Sequence, residues 1–156
     1  MSLVGVAAVY FRAPGVGAVL AGVADRARFP DFDGVEAEWF GFDAAMDRLV
    51  ALARGVDEHV IVERQVWPAG PDPEGPVAAG DPWLTGPFVS EWDVATRDAL
   101  AALASVSDED VARVAVAWAR GEGLEPVAEV VPWVVSLVRV ARAARDAGES
   151  LFCSVV

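Results

Sequence analysis

Lysine and asparagine are missing from this 156-residue chain, and histidine, cysteine, tyrosine and glutamine occur once each. Without lysine there is neither a P-loop phosphate lysine nor a Schiff-base amine. A lone His59 and a lone Cys153 exclude a His/Cys zinc cage, a disulfide within the chain and any site that needs two imidazoles. No apolar run reaches the ~20 residues of a membrane span. Leu3 to Phe11 has no basic residues before it and is followed by Arg12-Ala13-Pro14, while Val127 to Ala141 is interrupted by Pro132 and Arg139. These absences predict a soluble, cytoplasmic protein with no membrane association.

What is present is core material and negative charge. Hydrophobic residues make up 54% of the chain, enough for one sizeable core, and a single domain over 1–156 is expected. Twelve arginines face 24 acidic residues, a net charge of −12. Nucleic-acid binding needs a basic face to meet phosphates, so the balance argues against it. It argues equally against anionic membranes and is compatible with a basic protein partner.

Hydropathy spacing predicts an α+β domain, mostly helical, with four or five helices and a small sheet that includes both terminal strands. Leu3–Phe11 and Leu151–Val156 read as the terminal strands, and His59–Trp67 has strand composition. Pro14 suits the first turn of a helix whose Val16, Val19, Leu20 and Val23 share a face. Phe29–Phe42 reads as a loop. Asp43 is placed as the N-cap of a helix carrying Met46, Leu49, Val50 and Ala53, with Gly55 at its end. Pro68–Pro87 holds six of the ten prolines and reads as a long flexible loop. Ser90 with Asp93, and Ser107 with Asp110, are placed as caps of two further helices. Trp92, Thr96, Ala99, Leu100 and Leu103 are expected on one face of the first, and Gly121 ends the second. Pro126–Asp146 reads as the last helix, with Pro132 in its first turns or marking its start, and Gly148 stops it.

The helix around Asp43, Met46, Asp47, Leu49 and Gly55 resembles the YfbM-like family of small bacterial proteins, a family named for want of an assigned function. The opening Leu3-Val4-Gly5-Val6, Gly86-Pro87 before a capped helix, and Leu103 to Ser107 with Asp108 and Glu109 fall in the family's order. So does the closing helix–glycine–strand. Asp43, Asp47, Leu49 and Gly55 match the family helix, whereas Met46, Val50 and Arg54 replace its Trp, His and Thr. The resemblance implies the fold; any site those replaced positions form in the family is altered in this chain.

Few constellations carry chemistry. His59, in Asp57-Glu58-His59, is the only imidazole base, and no G-x-S-x-G elbow accompanies it; a loop or strand-edge histidine is the plainer reading. Asp43 and Asp47, one turn apart, suit an acid–base pair or, more simply, a capped first turn. Asp31, Asp33, Glu36 and Glu38 have the core of a calcium loop, but Phe29 and Phe40 stand where its end ligands belong. Arg139, Arg142 and Arg145 are expected to pair with surface carboxylates. Cys153 reads as a buried, inert thiol. Trp67, Trp83, Phe88 and Trp92 cluster in and around the proline-rich loop, the pattern of an aromatic binding loop or of rings pinning that loop to the body. The leading expectation is therefore a non-catalytic binding domain that recognises a protein or peptide through this loop. The alternative is a small-molecule enzyme or sensor using Asp, Arg and His59. No cofactor and no metal is expected.

Overall fold

The short apolar runs near the two ends of the sequence form strands that pair with each other. In the computed structural model, which describes residues 8–24, 32–37, 42–103 and 107–155, β1 (Ala8–Ala13) runs antiparallel to the last strand, Ser150–Val155. Between them in the chain lie α1 (Val16–Ala24), β2 (Gly34–Ala37), α2 (Phe42–Arg54), β3 (Glu63–Trp67), α3 (Pro82–Thr85), β4 (Phe88–Trp92), α4 (Val94–Leu103), α5 (Asp108–Glu122) and α6 (Val127–Ala147). The closing strand is β5. The sheet order is β2-β1-β5-β4-β3, antiparallel throughout, so the chain is an α+β protein as its hydropathy predicts.

The pleat sends alternate residues to opposite faces, and each face has its own core. Tyr10, Trp92, Leu151 and Cys153 face α2, α4, α5 and α6; Phe11, Val89 and Phe152 face α1 through Val19. A bulge at Val66 and Trp67 turns both of these residues to the α1 side. The central helix is α6, which buries Val130, Trp133, Val134, Leu137, Val138, Ala141 and Ala144 at helical spacing. A row of rings runs through the larger core, from Trp118 to Trp133, Tyr10 and Trp92, with centroids 6.0, 5.6 and 5.3 Å apart in turn. Trp118 and Trp133 also tie elements together through their indole N–H groups, which donate to the carbonyls of Ala45 and Glu36, both at 2.7 Å.

Several boundaries differ from the sequence reading. Ser90 is no helix cap: it sits inside β4, and Asp93 alone caps α4, its Oδ2 accepting from the Thr96 N–H at 3.1 Å. Trp92 therefore belongs to a strand and not to a helical face. The second cap is as expected, with Ser107 Oγ accepting from the Asp110 N–H at 3.1 Å. That helix runs past Gly121 to Gly123, whose left-handed backbone lets the Leu124 N–H close back on the Ala119 carbonyl. Phe29–Phe42 contains β2, with residues 29–31 and 38–41 outside the described residues. Residues 3–7 of the first strand also lie outside them, and β1 continues to Ala13, so that α1 starts at Val16, beyond Pro14. Strand β3 begins only at Glu63, leaving His59 to Val62 as an irregular connection. The proline-rich stretch holds α3, capped by Asp81, which accepts from the Trp83 N–H at 2.9 Å. Pro132 lies inside α6 with its ring exposed, so the missing N–H is spent on the solvent side. Helix α2 starts at Phe42; Asp43 falls in its first turn instead of before it, and the Asp43 side chain lies outside the described residues.

Candidate functional site

Directly opposed residues on an antiparallel sheet share a face, and on the α2 side one such row is Tyr10, Cys153 and Ser90. The rows beside it contribute Val155 and Phe88 on one side, and Trp92 and Glu63 on the other. Together these seven residues form the floor of a cavity of about 180 Å³, walled by Met46 and Asp47 of α2 and by Ile61 of the connection that follows. The recess therefore reaches across the sheet from β3 through β4 and β5 to Tyr10 of β1.

The cavity lining combines two carboxylates with three aromatic rings. Asp47 Oδ1 accepts from the Ile61 N–H at 2.9 Å, which fastens the 55–62 connection to α2. Glu63 Oε1 accepts from the Trp92 indole at 2.8 Å. Among the described residues neither carboxylate forms an ion pair: Arg48 is taken by Glu122, and Arg64 by Glu91 on the opposite face of the sheet. Tyr10, Trp92 and Phe88 supply the ring surface, with Trp92 and Tyr10 tilted 59° to each other.

A second polar group holds the same connection from outside the cavity. Arg54 Nη1 lies 2.9 Å from His59 Nδ1, and His59 Nε2 lies 2.9 Å from Thr96 Oγ1. The Thr96 hydroxyl donates to Asp93 Oδ1 at 2.6 Å, and the Val62 N–H donates to the same oxygen at 3.0 Å. Partial burial by itself raises the pKa of Asp93. The hydrogen bonds from the Thr96 hydroxyl and from the backbone of Val62 and Thr96 outweigh that and hold the carboxyl below the usual carboxylate range.

The residues singled out from sequence are dispersed. Asp47, Phe88 and Trp92 meet at the cavity. Trp67 packs on the α1 face, Trp83 is half-buried on α3, and His59 is committed to Arg54 and Thr96. Asp33 of the acidic stretch binds Arg139 bidentately, both contacts 3.1 Å, and also receives Arg12. The hydrogen bond from Arg139 is foremost in lowering its pKa, against burial and with help from Arg12. Glu36 lies in β2, and Asp31 and Glu38 are outside the described residues. Arg145 pairs with Asp146, and Arg142 is exposed. Among the described residues no three His, Cys, Asp or Glu side chains come together to hold a metal, and no helix is long and apolar enough to cross a membrane. The sequence did not mark Tyr10, Met46, Ile61, Glu63, Ser90, Cys153 and Val155 as cavity residues, although the period-2 spacing of Phe88, Ser90 and Trp92 was a readable signal.

No family model, no curated protein and no solved structure matches this chain.

Proposed function

We propose that this protein is a non-catalytic receptor for a small molecule, bound in the cavity between α2 and the sheet. The observation that carries this reading is the convergence on one recess of three aromatic rings and two carboxylates that form no ion pair among the described residues. Its volume is comparable to the cavities on the order of 150 Å³ that hold one benzene ring. Binding fits better than turnover because the lone imidazole, His59, is engaged elsewhere and does not line the recess. Recognition of a protein or peptide through the aromatic loop keeps only Trp83 and the exposed Leu84 as anchors, since Trp92 is core and Trp67 faces α1. Kinship with the YfbM-like family is likewise a proposal; two positions of the family helix, Met46 and Asp47, fall on the cavity wall.

Cys153 is the only cysteine and lines the cavity, so it reports occupancy. A thermal-shift screen of small metabolites should find compounds that raise the melting temperature. The same compounds should slow modification of Cys153 by a thiol reagent in the folded protein. Hits that stabilise the fold and leave the Cys153 rate unchanged, or a screen without hits, overturn the proposal.

A further inference from the structure

The charged lining of the cavity has one sign. Among the described residues Asp47 and Glu63 are its only charged linings, and the nearest arginines in sequence, Arg48 and Arg64, are bound to Glu122 and Glu91. Each carboxylate uses a single oxygen among the described residues, Oδ1 toward the Ile61 N–H and Oε1 toward the Trp92 indole. The second oxygen of each is left to accept from a ligand. An anionic ligand would meet two negative groups here, an unfavourable placement in a recess walled by protein.

The ring surface selects among cations. Ring faces attract a cation through their quadrupole, and a weakly hydrated organic ammonium or guanidinium gains more from them than a strongly hydrated metal ion, which holds its water or demands several oxygen ligands. Tyr10, Trp92 and Phe88 provide such faces, Met46 and Val155 add apolar contact for an alkyl body, and Ser90 offers a hydroxyl. A net charge of −12 raises the local concentration of any cation near the surface.

We infer that the cavity ligand is a small organic cation, an alkylammonium, quaternary ammonium or guanidinium compound, with its charge held by Asp47, Glu63 and the adjoining rings and its body against the apolar lining. This rests on the small-molecule reading of the cavity and narrows it to one chemical class.

The test titrates the full chain with choline and butylammonium, with their neutral counterparts dimethylbutanol and butanol, and with acetate, following heat of binding and Cys153 modification together. The expected result is saturable binding of at least one cation that protects Cys153, with the neutral counterpart at least about tenfold weaker. Asp47→Asn and Glu63→Gln preserve the acceptors used by Ile61 and Trp92 while removing charge. Each should weaken the cation about tenfold and leave its neutral counterpart unchanged. Neutral compounds or acetate that protect Cys153 where the cations do not would overturn the inference and leave the cavity a ligand seat. Cation binding that is indifferent to both substitutions and to Cys153 also overturns it, as simple counterion attraction. Failure of every probe to protect Cys153, together with an empty metabolite screen, removes both readings.

Discussion

Arg54 fixes the tautomer of His59. A guanidinium has no acceptor, so its 2.9 Å contact with Nδ1 requires a lone pair there and places the ring proton on Nε2, which donates to Thr96 Oγ1. The Thr96 hydroxyl must then donate onward to Asp93, and every proton in the chain from α2 to α4 has one direction. Since the protein holds a single histidine, nitrogen-15 spectra contain one imidazole and read the tautomer directly. The Nε2–H form should dominate in the wild type, and Arg54→Ala should shift the population toward a mixture. A dominant Nδ1–H form would contradict the network.

The six tryptophans are not equivalent, and two of them separate core from loop. Trp92 is 4% exposed, packs at a tilt against Tyr10 and donates to Glu63, so Trp92→Ala should destabilise by roughly 3–5 kcal/mol. Trp83 is half-buried on the four-residue α3, and its replacement by Ala should cost about 1 kcal/mol. Urea unfolding of the two variants measures the contrast. Equal effects would mean that the proline-rich segment is as integral as the sheet.

Acid sensitivity follows from the lowered carboxyls Asp33, Asp93 and Glu122. A carboxyl with a depressed folded pKa contributes stability that is fully present above its unfolded value. That stability is lost as pH falls through the folded value. Unfolding free energy should thus show no fall from these groups between neutrality and about pH 4, then drop as the unfolded chain takes up protons the folded one resists. Asp93→Asn leaves fewer acceptors for Thr96 and Val62. It should cost about 1 kcal/mol at neutral pH and make the acid drop shallower. Denaturant midpoints measured across the acid range check both parts.

Gly34 opens β2 against Phe11, and its role is space instead of backbone freedom. A Cβ there would stand 2.6 Å from the Tyr10 carbonyl oxygen and 2.7 Å from Phe11 Cβ, inside any real contact distance. Gly34→Ala should therefore destabilise by about 1–3 kcal/mol, because the β1–β2 pair must spread. Gly17, with open space around its Cβ position and a helical backbone, is the control, and Gly17→Ala should be neutral or stabilising. Thermal unfolding of the pair decides it.

The helices α2, α5 and α6 were legible because 3.6-residue spacing, the Ser107 cap and the Gly148 stop are local signals. The terminal strands were legible as short valine-rich runs. Strand β2 was not, since four residues are too few for a periodic pattern, and β4 was obscured by Ser90 and Asp93, whose spacing imitates a capping box. In the fold Ser90 points to the cavity from a strand, and Asp93 has enough acceptors to cap α4 unaided.

By itself the sequence determined composition-level facts: one imidazole, one thiol, no lysine, a large acidic excess, and the helices that apolar spacing dictates. These exclude whole classes of chemistry, because a side chain that is absent cannot act. Tertiary structure alone decided which residues meet. Tyr10, Asp47, Glu63, Trp92 and Cys153 become neighbours only when β1, β5, β4 and β3 pair in register and α2 crosses above them. No local pattern encodes that proximity, since register between strands distant in sequence is set by burying both faces of the sheet at once.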